Sequence, residues 1–93
     1  MELKFTARIS VPPDVLMREL DGEAVVLNLN SERYFSLDEV GTRIWTLLTT
    51  SESIQAAYDG LMAEFDVDPE RLRQDISDLI GELVEDGLVE VCN

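Results

Sequence analysis

The residues that most often carry out covalent or proton-transfer chemistry are nearly absent from this sequence. There is no histidine, which removes the commonest general base, the usual partner of a nucleophile and the commonest transition-metal ligand together. Cys92 is the one cysteine, so neither an intrachain disulfide nor a cysteine-built zinc site can form. Nothing around it in sequence is electropositive enough to depress a thiol pKa, and it reads as a passive side chain. Carboxylates are plentiful, yet Asp66 and Asp68 run into Pro69 without the spaced oxygens of a calcium loop, and no nucleophile accompanies them. These residue types and spacings suit non-covalent recognition rather than an enzyme, and they require no cofactor or metal.

Twenty acidic against seven basic residues leave a net charge of −13. A field of that sign repels phosphate, whereas nucleic-acid binding draws much of its free energy from counterions released by Lys and Arg. Nucleic acid and anionic membranes are therefore disfavoured partners, and the plain role of so many carboxylates is a solvated surface. Ninety-three residues, 45% of them apolar, are enough for one core, so residues 1–93 are expected to form a single domain. No apolar run approaches the ~18 residues of a membrane span, and Met1 to Arg8 alternates polar with apolar instead of forming a signal peptide's apolar segment. A cytoplasmic location is the expectation.

Recognition without catalysis relies on backbone edges and apolar faces, so the elements that supply them matter most. From Phe5 to Val11 the apolar residues Phe5, Ala7, Ile9 and Val11 alternate with polar ones, the two-residue period of a half-buried strand that Pro12 and Pro13 break. A second run, Val15 to Leu20, meets Asp21-Gly22, a dipeptide suited to a two-residue hairpin because both positions tolerate positive φ. The return strand is Glu23 to Leu29, with Val25, Leu27 and Leu29 on one face. Asn30-Ser31-Glu32 supplies turn chemistry before a last short run, Arg33 to Ser36, which completes a three-stranded antiparallel meander.

The period then changes to 3.6. Ser36 and Glu39 have capping-box spacing, and Leu37, Val40, Ile44, Leu47 and Leu48 form the stripe of a first helix. Ile54, Tyr58, Leu61 and Phe65 repeat at helical spacing and predict a second helix over about Ser53 to Glu64. A third begins with Asp68 as N-cap, Pro69 at the first helical position and Val67 spaced to staple onto Leu72; its stripe is Leu72, Ile76, Leu79, Ile80 and Leu83. Gly87 suits the left-handed residue that ends a helix, and Leu88 to Val91 either returns as a short strand or covers the core. Trp45, one position off the first helix's stripe, reads as a packing residue, as do Tyr58 and Phe65, and Gly41 is expected to permit close helix packing.

The order βββααα describes one α+β domain, winged helix-turn-helix-like, whose usual work is to set its third helix in the DNA major groove. Here that helix opens with Arg71 and Arg73 but continues through Asp75, Asp78, Glu82 and Glu85, which phosphate would oppose. What remains is the meander's last strand, which has one side of its backbone unpaired, and an extended peptide can add there by β-augmentation. The expected peptide-binding set is Arg33, Tyr34, Phe35 and Ser36 along the edge. Leu72, Asp75, Ile76 and Leu79 belong to it from the third helix; the alternative is that these are ordinary core residues.

Residues Gly22 to Leu29, Tyr34-Phe35-Ser36-Leu37-Asp38, Gly41, Ile44-Trp45, Leu47-Leu48 and Asp86-Gly87-Leu88-Val89 together resemble the PqqD-like family over nearly the whole chain. The resemblance implies a recognition element for ribosomally made, post-translationally modified peptides. In that family a precursor's leader peptide lies as an added strand against the third strand, beside the third helix; here those are Arg33 to Ser36 and the Leu72 to Leu79 face. It implies a non-catalytic adaptor, a peptide chaperone, that presents the precursor to a modifying enzyme. Related domains serve radical-SAM enzymes, as in pyrroloquinoline quinone (PQQ) biosynthesis, and transglutaminase-like leader peptidases, as in lasso peptide biosynthesis. Asp38 stands where the family more often has Asn; both cap helices well. The extension over residues 1–14 is longer than a minimal domain needs, and its strand would occupy an open edge in its own molecule or, by strand exchange, in a homodimer. The competing readings are a winged-helix transcription regulator, which needs a basic face, and a subunit that only dimerises, which needs a large apolar one.

Overall fold

The computed structural model describes residues 3–92, in the order β1 (Arg8–Ser10), β2 (Val15–Leu20), β3 (Glu23–Asn28), β4 (Tyr34–Leu37), α1 (Glu39–Thr50), α2 (Ile54–Glu64), α3 (Pro69–Glu85) and β5 (Glu90–Cys92). Met1 and Glu2, at the head of the N-terminal extension, and Asn93 lie outside the described residues. Among those residues no helix is long and apolar enough to cross a membrane.

The hairpin forms where the dipeptide predicts it. Asp21 and Gly22 take φ of 55° and 84°, the paired positive values whose twist matches that of the flanking strands. That turn sets the register from Leu20↔Glu23 back to Val15↔Asn28, and β4 then pairs onto β3 from Leu27↔Tyr34 to Ala24↔Leu37. The sheet order is β2-β3-β4, the meander expected. Asn28 organises the second turn: its Oδ1 accepts from the Asn30 and Ser31 N–H groups at 2.9 and 3.2 Å.

The N-terminal run behaves differently from the expectation. It pairs within its own chain with β5, Arg8↔Cys92 to Ser10↔Glu90, in a two-stranded sheet separate from the meander. Within the chain it therefore does not cover the edge of β4. Its ladder is also shorter than the alternation suggests, because Ala7 and Phe5 turn their carbonyls to α2 and accept from Ile54 and Gln55 N–H, both at 2.8 Å. Those two donors are among the four that a helix start leaves without an intrahelical partner. Ser53 Oγ takes a third, from Ala56 N–H at 3.1 Å.

Capping explains the remaining boundaries. Asp38, not Ser36, caps α1: its Oδ1 accepts from Gly41 N–H at 2.7 Å, while Ser36 stays in β4. The box expected from Ser36 and Glu39 does not form, since the ladder to β3 runs on through Leu37. A Cβ on Gly41 would meet Asp38 Oδ1 at 3.1 Å and Leu37 Cδ2 at 3.3 Å, so this glycine relieves crowding at its own cap rather than between helices. Asp68 caps α3 with Pro69 behind it, as predicted. At the other end Leu88 N–H bonds to the Leu83 carbonyl and Gly87 N–H to that of Val84, the paired bonds of a Schellman stop.

The three helical stripes and the inner face of the meander meet in one core. Val26, Leu48, Ile54, Leu61, Ile76, Ile80, Leu83 and Leu88 are fully buried there, and burying each such side chain contributes about 1.5–3 kcal/mol. Trp45 belongs to this core as a packing residue. Val40, expected in the α1 stripe, is 52% exposed, and Val67 is 41% exposed instead of stapled down on Leu72.

Candidate functional site

The edge of β4 can be read group by group. Asn28 N–H donates to the Arg33 carbonyl at 2.8 Å, which makes 28 and 33 a hydrogen-bonded pair. In an antiparallel ladder such pairs alternate, so Phe35 and Leu37 direct their backbone groups to β3 while Tyr34 and Ser36 direct theirs away. No strand among the described residues lies on that outer side. Side chains alternate as well: Leu37 is buried and Phe35 half-buried against the core, whereas Tyr34 (66% exposed) and Ser36 face outward.

Helix α3 runs alongside this edge. At the start of β4, Arg33 Nη1 lies 3.4 Å from Asp86 Oδ1 just past the end of α3, and Asn28 Nδ2 donates to the Gly87 carbonyl at 2.8 Å. Beyond the end of β4, Val40 of α1 joins Leu72 and Asp75 of α3 in lining a cavity of about 440 Å³. Strand and helix thus lie side by side in opposite directions, tied at one end and open onto an apolar cavity at the other. Ile44, Leu61, Phe65 and Val67 complete most of its wall, and Arg71 stands at it as a cation. A neighbouring depression shares Val40 and Phe65 and is crossed by the Arg43–Glu64 pair, bidentate at 2.8–3.1 Å. Hydrogen bonding from Arg43 holds the Glu64 carboxyl below the ordinary carboxylate range, and Glu64 raises Arg43 in return.

Of the residues singled out from sequence, Leu72 and Asp75 share the cavity, and Leu79 is half-buried farther along the same helix. Arg33 is exposed but bonded to Asp86. Tyr34 and Ser36 offer their backbone to the open edge while their side chains lie on the outer face of the sheet. Ile76 is 0% exposed in the core and does not line this cavity. The sequence reading missed Ile44, Leu61, Val67 and Arg71 as cavity residues. The signal available was the pair Phe65 and Val67, two apolar residues flanking the break between α2 and α3.

The model of the family described as coenzyme PQQ synthesis protein D (PqqD) matches residues 23–89, from the start of β3 to the residue before β5. Among solved structures, TbiB1 in complex with the TbiA(beta) leader peptide is 33% identical and superposes with a TM-score of 0.80, covering 87% of this chain and 94% of that one. Lasso peptide synthetase B1 complexed with the leader peptide superposes with a TM-score of 0.79 over 90% of this chain and 99% of that one; at 24% identity it speaks for the fold alone. No curated protein matches the sequence.

Proposed function

The chain belongs to the PqqD family, and from that premise we propose that it is a non-catalytic adaptor that binds a precursor's leader peptide by β-augmentation on β4, beside α3. The observation that carries the reading is the outward-facing backbone of Tyr34 and Ser36, with an apolar cavity walled by Leu72 lying beyond the end of β4. An added strand would hydrogen-bond to those groups, each bond netting only ~0.5–1.5 kcal/mol. Association itself costs ~4–15 kcal/mol, so side chains seated in the cavity must supply most of the affinity. Arg33, Tyr34, Phe35, Ser36, Leu72, Asp75 and Leu79 are the contact residues of this reading, and Ile76 supports them from below. TbiB1, the relative at 33% identity, is described in complex with a leader peptide, which supports the same role here.

The reading takes residues 1–93 as one cytoplasmic domain that works with an enzyme supplied by another chain, a radical-SAM enzyme or a transglutaminase-like leader peptidase. Its contribution is position: a precursor held beside the active site reacts at a raised effective concentration. The test is Ser36→Pro. Proline is tolerated on an edge strand where its nitrogen faces outward, so the fold should persist by circular dichroism. The outward N–H is lost and the ring obstructs an incoming strand. Fluorescence-anisotropy titration with labelled leader segments should show affinity reduced at least about tenfold. Undiminished binding by a folded Ser36→Pro variant would sink β-augmentation on β4.

A further inference from the structure

The face of α3 beside β4 is fixed at both ends. Leu72 and Asp75 line the cavity and Asp86 touches Arg33, so Leu79 and Glu82, spaced three or four residues from these, fall on the same stripe. Along this stripe apolar and acidic side chains alternate: Leu72, Asp75, Leu79, Glu82. Asp75 and Glu82 are exposed, and neither is in an ion pair; among the described residues the pairs are Arg33–Asp86 and Arg43–Glu64. Asp78 lies off the stripe and accepts from Gln74 Nε2 at 2.8 Å.

An extended strand advances about 6.6 Å for every two residues, and successive positions of the stripe, three or four residues apart on the helix, about 4.5–6 Å. A strand added to β4 would therefore keep step with α3 over the turns from Leu79 to Leu72, meeting one position of the stripe with every second side chain. Those inward side chains face the same way as Phe35 and Leu37, toward the helices. Building on the peptide-binding reading, we infer that the groove selects an extended segment in which a large apolar side chain occupies the cavity and a lysine or arginine two residues away faces Asp75. Arg71, at the same cavity, gives the code a polarity: beside the cavity a carboxylate on the peptide finds a partner in Arg71 and a cation one in Asp75. The net charge of −13 favours the same basic segments at longer range.

A randomised library of displayed 12-residue peptides, selected on the full chain, tests the code without any assumption about the native leader. Selected peptides should be enriched in Lys or Arg two positions from a large apolar residue. In the best binder, replacing that cation by Glu should weaken binding roughly three- to tenfold, less at high salt. Asp75→Lys, an exposed change that folding should accommodate, is expected to reverse the preference and favour the Glu peptide. Binders without the pattern, or binders whose affinity ignores both charge reversals while still falling in Ser36→Pro, would overturn the code and leave the peptide reading standing. Selected binders indifferent to Ser36→Pro would remove the reading and the code with it.

Discussion

Gly87 joins α3 to the meander through its own backbone. Its φ of +72° closes the Schellman stop, its carbonyl accepts from Asn28 Nδ2 at 2.8 Å, and a Cβ there would meet that same nitrogen at 3.3 Å. A left-handed conformation costs an L-residue about 1–2 kcal/mol, so Gly87→Ala should lower the melting temperature by roughly 4 °C or more. Gly81 gives the contrast: it lies inside α3 with nothing within 4 Å of an added Cβ, and Gly81→Ala should raise it. Thermal melts of the two variants check both signs. The helix-stopping role of Gly87 was legible in the sequence, whereas its bond to Asn28, 59 residues away, was not. At the start of α1 the sequence offered two caps two residues apart, Ser36 and Asp38, and strand pairing decided between them.

Among the elements, the N-terminal segment departs most from its sequence pattern. Phe5, Ala7 and Ile9 are buried, Phe5 lies edge-on to Tyr58 at 6.1 Å between ring centroids, and the Arg73 guanidinium sits 4.1 Å over the Phe5 ring. With β1 zipped to β5 and two carbonyls on the first turn of α2, the segment is part of the fold rather than an appendage. Deleting residues 1–10 should therefore cost several kcal/mol, a large share of the 5–15 kcal/mol that holds a small domain together. Urea denaturation should show a clearly lower midpoint. An unchanged midpoint with tighter peptide binding would instead restore the segment as a removable strand that masks an edge. Alternation over Phe5–Val11 did identify an extended, half-buried run; its partners could not be read because they come from α2 and β5, far along the chain.

At the scale of the whole molecule, charge and an apolar surface oppose one another. The outer face of the meander exposes Leu16 (52%), Leu20 (78%), Val25 (42%) and Tyr34 (66%), the kind of surface a dimerising subunit would use. Two copies at −13 each repel, and Glu23, paired with Leu20, puts an acidic side chain on that face. Sedimentation velocity should accordingly find a single copy at low ionic strength and still at high. A dimer that assembles as salt screens the charge, and that Leu20→Glu dissolves, would assign the outer face to a second copy.

The sequence by itself determined the order of the meander and the three helices, the hairpin at Asp21-Gly22, the cap of α3 and the exclusion of histidine and metal-thiolate chemistry. Each of these rests on local conformational preference or on composition, which neighbours in the chain are enough to define. It also carried the family resemblance that the match over residues 23–89 bears out. Tertiary structure alone decided that Leu72, buried in the core like Ile76, also lines a cavity while Ile76 does not, although both belong to one helical stripe. The same holds for Arg33 against Asp86 and for β1 against β5. The physical reason is common to all three: a period tells which face of an element is apolar, but whether that face meets a close-packed neighbour or an open groove depends on elements brought together only by folding.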